Sequence, residues 1–473
     1  MAETLNHKES LGNRGQVANS TGWTESAGAR RLFRRLAVAF VVLVIFLFAG
    51  VRWRLREMPL ERDEGEYAYA GQLILEGIPP YELAYNMKLP GTYLAYAAIM
   101  NTFGQTPEGI HGGLLLINGC TTLLVFFLGW RLYGVLAATT AAMSYALLST
   151  SEAVLGLAGH ATHFVVIFAV AGLLFLLWAR DSKSLAAYSA AGLCMGLGFL
   201  MKQPGIVFVI FGAQEVVWAG RSSRKRKLRA RLIAYVTGAA VPYLLTCAAL
   251  YRAGVFEKFW FWTVTYASQY ATSTGIAEGW KYLTAIVPQL FFGAPVVWCF
   301  AAIGLLAMFL ERGPIAALGA NVSLLMWSFL GASAGLYFRD HYFILLLPAV
   351  CLLAGKAMNW SVEQLKGRVR MNRLALTALV MAVFALGWAQ AVYAQRAIFF
   401  EMNPEQVVRR VYGGNPFPEA LEFSRYIQEH SDVDAQVGVL GSEPEIYFYS
   451  RRHSSTGYIY TYGLMEEQRF ASR

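Results

Sequence analysis

Long apolar stretches recur in this chain from near residue 36 to near residue 394, and they decide which solvent it folds in. Each runs for about 17 to 25 residues, the length a helix needs to cross roughly 30 Å of hydrocarbon. Inside lipid such a stretch is expected to be helical, because a helix satisfies its own backbone hydrogen bonds. Over 473 residues the chain is 56% hydrophobic and 15% charged, more apolar surface than one water-soluble core can hide. The expected fold class is therefore an all-α polytopic membrane protein, with membrane lipids as its immediate partners.

The formal charge of +10 raises nucleic acid as a partner, but its distribution argues against one. Arg30, Arg31, Arg34 and Arg35 precede the first apolar stretch; Arg221, Arg224, Lys225, Arg226, Lys227, Arg229 and Arg231 crowd one loop; Lys366, Arg368, Arg370 and Arg373 crowd another. Such clusters mark the cytoplasmic side. The spans drawn from the sequence are 36–51, 109–130, 135–150, 161–179, 185–200, 204–219, 232–250, 284–310, 314–335, 342–358 and 374–394. Starting inside, these roughly eleven crossings return both later basic loops to the cytoplasm. The chain then divides into a disordered cytoplasmic lead (1–35), a transmembrane module (36–394) and an extracytoplasmic tail (395–473). Cys120, Cys194, Cys247, Cys299 and Cys351 all fall in apolar spans and read as small buried hydrophobes, with no disulfide framework.

This topology also leaves the loops 52–108 and 251–283 outside. In the first, Arg62 to Tyr81 places Tyr67, Ala70, Leu73 and Ile74 at helical spacing before Pro79 and Pro80. Thr92 to Phe103 is a second apolar stretch, too short to span, and both are expected to lie at the membrane surface. The second loop is rich in Trp260, Phe261, Trp262, Tyr266, Tyr270, Trp280 and Tyr282, which suit headgroup anchoring or contact with lipid or sugar. The tail alternates a helical stretch (418–429), β-like 436–440, a proline-bounded 445–450 and β-like 458–462, the expected pattern of a small α/β segment. It breaks off at Arg473, so a truncated product and a fragment are both open expectations.

The densest chemistry is Arg62, Asp63, Glu64, Gly65, Glu66 and Tyr67, just after the first span. Asp63 is a ready helix cap, with Glu64 and Glu66 complementing the dipole. It is equally a candidate general base where a hydroxyl meets an anomeric carbon. Lys88, in the run from Asn86 to Gly91, falls in the same outer loop. It either snorkels to headgroups or neutralises a phosphate. His111, His160, His163, Lys202, Arg339, Asp340 and His341 all fall at outer ends of spans, where ionisable groups are costly without partners. His160 and His163 stand at i, i+3, which permits a metal without naming one.

The order of these parts resembles the membrane glycosyltransferases of the GT-C fold: an acidic pair, a surface helix, a Lys-Pro turn, a multispan core, then Phe338 to Phe343 followed by Leu346, Leu347 and Pro348. The likeness extends over most of residues 30–460, including Gly441 to Tyr447, and points to protein O-mannosyltransferase-like and lipid A aminoarabinose transferase-like enzymes. It implies that Asp63 is the catalytic base with Glu64 beside it, and that Lys88, Lys202 and Arg339 meet donor phosphate. Arg339 and His341 fall in a segment that in that family faces the substrate cavity, and the topology leads to the expectation that Glu66, Tyr67, His111, His160 and His163 line it with them. Aminoarabinose transferases carry a glutamate before the lysine and a second proline after it, where this chain has Met87 and Gly91. That departure leaves the sugar, hexosyl or pentosyl, and a divalent metal open.

The expectation is an inverting transfer from a polyprenyl-phosphate-linked sugar to an acceptor hydroxyl on protein, lipid or polysaccharide, at the outer face of a bacterial inner membrane. No nucleotide-sugar pool exists outside the cytoplasm, so the membrane itself must deliver the donor. A transporter or flippase is the alternative. It is disfavoured by the lack of an internal repeat and by charges that sit at span ends instead of the midplane.

Overall fold

The structure, a computed structural model, describes residues 27–221, 224–311, 315–366 and 368–465. Within them the chain is almost entirely helical. The helices are α1 (Ala27–Arg54), α2 (Arg62–Leu75), α3 (Gly91–Phe103), α4 (Pro107–Tyr133), α5 (Val135–Leu148), α6 (Ala161–Ser182), α7 (Leu185–Met201), α8 (Ile206–Gly220) and α9 (Lys225–Arg252). Short α10 (Phe256–Trp260), a π-helical turn (Phe261–Tyr266) and α11 (Ala267–Ala271) lead to α12 (Ile276–Gly293), α13 (Pro295–Leu310), α14 (Ile315–Ala332), α15 (Leu347–Lys366) and α16 (Arg373–Ala394). The tail adds α17 (Pro404–Tyr412), α18 (Phe417–His430), β1 (Gln436–Val437), α19 (Glu445–Ser450), β2 (His453–Ser454) and α20 (Tyr462–Met465).

Most of the apolar stretches drawn from the sequence fall on single helices, and local chemistry sets the boundaries. Thr106 caps α4 through Gly109 N–H with Pro107 at its first position, Ser184 caps α7, and Asn372 caps α16. Gly134, at φ 89°, ends α4 and starts α5 in one residue, a left-handed bend that a side chain would strain. Among the described residues six helices are long and apolar enough to cross a membrane, and α12 with α13 makes a seventh if taken as one span. α5 and α7 are apolar but shorter.

Four expectations need correction. The stretch 284–310 is not one straight helix: α12 and α13 meet at 103°, because Ala294 leaves the helical region (φ −159°, ψ 70°) ahead of Pro295. α1 begins at Ala27, so residues 27–35 of the supposed lead are helical, while 1–26 lie outside the described residues. α2 is no surface helix, since every residue from Glu64 to Leu73 is buried, packed between α3 and α19. Of the five cysteines, all free, only Cys351 is buried, while Cys120 and Cys299 are exposed.

The bundle closes through small residues, as expected where lipid offers no hydrophobic drive between helices. α7 and α9 touch backbone to backbone: a Cβ on Gly192 would meet Tyr235 O at 1.9 Å, and one on Gly196 would meet Ala239 O at 2.2 Å. The tail folds back over α2. Its strands are Gln436–Val437 and His453–Ser454, paired in parallel, and the β-like 458–462 is not a strand. Tyr69 Oη accepts from Ser454 N–H at 2.8 Å, Tyr449 Oη accepts from Leu60 N–H at 2.8 Å, and Arg62 Nε donates to Ser442 O at 2.9 Å. Glu445 is pressed so close to Gly65 that a Cβ there would lie 2.6 Å from it.

Candidate active site

The residue that caps α2 is Glu61, not Asp63. Glu61 Oε1 accepts from Glu64 N–H at 3.0 Å and Glu64 Oε2 accepts from Glu61 N–H at 3.4 Å, a reciprocal capping box. Asp63 is therefore free of capping duty. Its Oδ1 accepts from Lys88 Nζ at 2.7 Å, and the same ammonium donates to Glu66 Oε2 at 2.7 Å. Lys88 is aimed by its own loop: Tyr81 donates to Lys88 O at 2.8 Å, and Gln203 Nε2 donates to Met87 O. The Tyr67 ring lies 4.6 Å from Lys88 Nζ, while its buried hydroxyl finds no hydrogen-bond partner.

The charge states follow from these neighbours. Burial opposes ionisation of Asp63, but Lys88, His160 and His341 outweigh it and hold the carboxyl well below its usual range. Burial likewise works against the Lys88 ammonium, and Asp63 with Glu66 more than offsets it, holding Lys88 well above the lysine range. Glu66 is fully buried, and burial raises its carboxyl despite Lys88. Burial and the cap's acidic neighbours Asp63 and Glu64 raise Glu61 well above its ordinary value.

Asp63 Oδ2 faces two imidazoles. His160 Nδ1 and His341 Nε2 each lie 3.8 Å from it, beyond hydrogen-bond length, and the two rings stack at 4.1 Å and 10°. Ligand atoms from Asp63, His160 and His341 all lie within 4.8 Å of one another. Both ring nitrogens of buried His160 lack a hydrogen-bond partner. Nitrogen and oxygen donors left unsatisfied around one point fit a divalent cation. Lys202 stands over the Tyr342 ring at 4.2 Å, and burial lowers its ammonium to about 8 against the pull of Asp63.

The remaining sequence candidates separate. Glu64, expected beside the base, is engaged by other partners: fully buried, its Oε1 accepts from His111 Nε2 at 3.1 Å and from Gly159 N–H. His111 Nδ1 donates to Arg56 O at 2.8 Å, so both its nitrogens face oxygen acceptors and it belongs to this latch, not to the cavity. His163 lies one turn into α6 and outside the metal-competent trio. Arg339 is exposed above Tyr337, whose ring stacks on Tyr270 at 4.7 Å; among the described residues its side chain makes no ion pair or hydrogen bond. Sequence reasoning missed Glu61, Tyr93 and Tyr460. Tyr93 donates to Glu66 Oε1 at 2.5 Å and Tyr460 to Glu66 Oε2 at 2.8 Å. Only the spacing of Glu61 to Glu64 carried a signal, that of a capping box.

This arrangement of helices is similar to solved structures. ArnT from Cupriavidus metallidurans, bound to undecaprenyl phosphate, aligns with a TM-score of 0.59 over 91% of this chain and 86% of that one, at 18% identity. The Archaeoglobus fulgidus oligosaccharyltransferase in its apo form aligns at 0.56 over 88% of this chain and 64% of that one, at 13% identity. The chain has the GT-C fold. Residues 88–251, which start at Lys88 and run through α9, match the family described as dolichyl-phosphate-mannose-protein mannosyltransferase. No curated protein matches in sequence. Within the GT-C bundle, the Asp63, Lys88 and Glu66 cluster and its histidines mark the candidate active site of a multispan membrane protein.

Proposed function

We propose that this chain is a glycosyltransferase that moves a sugar from a polyprenyl-phosphate donor to an acceptor hydroxyl, with inversion, on the extracytoplasmic side of a bacterial inner membrane. The observation that carries the reading is Lys88, an ammonium gripped by Asp63 and Glu66 beside His160, His341 and Lys202. The family match at residues 88–251 and the fold shared with an undecaprenyl-phosphate-bound protein support a lipid-linked donor. Basic clusters at the opposite helix ends support an outward orientation.

The chemistry needs two things, a group to take the acceptor proton and positive charge for the departing phosphate. Asp63 supplies the first and Lys88 the second. In the resting site each silences the other, since the ion pair keeps Asp63 a weak base. A phosphate that engages Lys88 draws the ammonium away from Asp63, and the carboxylate becomes more basic as the leaving group is stabilised. Lys202, buried and, among the described residues, without a carboxylate in contact, adds positive charge on the same side, and Arg339 meets the donor at the rim. A divalent cation on Asp63, His160 and His341 would supply Lewis-acid stabilisation of an oxygen.

The reading is tested with purified protein in nanodiscs, given a lipid-linked sugar and a crude envelope acceptor. Release of polyprenyl phosphate coupled to acceptor glycosylation is expected. Movement of the intact lipid-linked sugar across the bilayer with no release would replace this reading with a flippase.

A further inference from the structure

Glu66 is the one carboxylate of the cluster that the proposed chemistry leaves without a step, and it is the most heavily bonded. Fully buried, it takes Tyr93 on Oε1, and on Oε2 it takes both Lys88 and Tyr460. Tyr460 comes from the tail, nearly four hundred residues along the chain (|i−j| 394), and also donates toward Arg62 O at 3.2 Å. The loop that carries it is fixed at Tyr85, whose N–H donates to Gly457 O at 2.7 Å, and Tyr458 packs edge-on to the Tyr85 ring at 5.2 Å.

We propose that Tyr460 is a positioning residue for the donor phosphate. Its phenol shares Glu66 Oε2 with Lys88, and that sharing sets where the ammonium rests between Glu66 and Asp63. A buried carboxylate deprived of one donor binds its remaining ones more tightly. Without the phenol, Glu66 draws Lys88 inward, away from Asp63 and from any phosphate that approaches its exposed side. The third Lys88 N–H, which has no acceptor among the described residues, is the one left for that phosphate. The inference rests on the lipid-phosphate reading above and adds that the tail completes the phosphate site.

The test is binding of undecaprenyl phosphate to the full chain in nanodiscs, which requires neither sugar nor acceptor. Tyr460→Phe is expected to weaken binding about tenfold, the worth of one charge-assisted hydrogen bond. In a Glu66→Gln background the same change is expected to cost less than about twofold, because the coupling runs through the carboxylate. Tyr69→Phe removes the acceptor for Ser454 N–H, loosens the tail and leaves Glu66 untouched, so it reads the purely structural contribution. Melting temperatures of all variants accompany the titrations. Binding by Tyr460→Phe equal to that of the unsubstituted protein, an equal loss in both backgrounds, or a loss no greater than that of Tyr69→Phe at matched melting temperature overturns the inference alone. Failure of the unsubstituted protein to bind undecaprenyl phosphate overturns the donor reading and this inference with it.

Discussion

Asp63 and Glu64 are adjacent on one helix and turn to different partners, and the two sides of this pair are built on different rules. On the Glu64 side every charge is closed off: the carboxylate holds His111, Gly159 N–H and the backbone of its own cap, with 1% of its side chain exposed. On the Asp63 side the ion pair is open, with 22% and 18% of the Asp63 and Lys88 side chains exposed, and His160 and the Tyr67 hydroxyl have unmet hydrogen bonds. Saturated polar groups hold a fold together, whereas unsaturated, partly exposed ones keep bonding capacity for another partner. Two carboxylates one residue apart thus divide structural and chemical work between them.

The sharpest way to break this contrast is to neutralise one side at a time. Asp63→Asn and Lys88→Met are each expected to lower transfer by about 10²–10⁴-fold; Asp63→Asn, which leaves Lys88 paired with Glu66, should change the melting temperature little, whereas Lys88→Met also lowers it by stranding the buried Glu66 carboxylate. Retained transfer in correctly inserted Asp63→Asn protein would remove the residue from its role. Glu64→Ala should do the reverse. Leaving His111 and Gly159 N–H without their shared acceptor costs about 3–5 kcal/mol of stability, read as a lower melting temperature, while the folded fraction keeps its affinity for undecaprenyl phosphate. Equal loss of affinity from Glu64→Ala and Lys88→Met would erase the distinction between the sides.

The smallest effect concerns Glu445, which presses on Gly65 from the tail with neither carboxyl oxygen hydrogen-bonded. Burial raises its carboxyl well above the usual range, which favours the protonated form in the folded chain. Its contribution to stability is complete below the ordinary glutamate value and is lost as pH rises through the folded one. Glu445→Gln should therefore raise the melting temperature at pH 8 more than at pH 5. A variant whose melting temperature tracks the parent at both values would show that Glu445 finds a partner in solution.

The membrane helices were legible because lipid leaves a backbone few choices, and so most of the apolar stretches coincide with helices. The error at 284–310 came from weighing hydropathy above the break at Gly293, Ala294 and Pro295. Asp63 and Lys88 were legible as costly charges flanking a turn. Glu66 as a three-donor acceptor was not, since two of its donors, Tyr93 and Tyr460, meet it only through packing. Tyr458 and Tyr460 looked β-like because aromatics favour strands, yet here they turn to Tyr85 and Glu66. Asp63 as a cap failed for a similar reason: Glu61 stands two residues earlier and has Glu64 as its reciprocal partner.

The joint at Ala294 also limits how this flank can sit in lipid. Because α12 leaves α13 at 103°, the two cannot both run along one bilayer normal, so at least one of them lies strongly tilted, and the exposed Ile276, Trp280 and Phe292 of α12 give that arm apolar surface along its length.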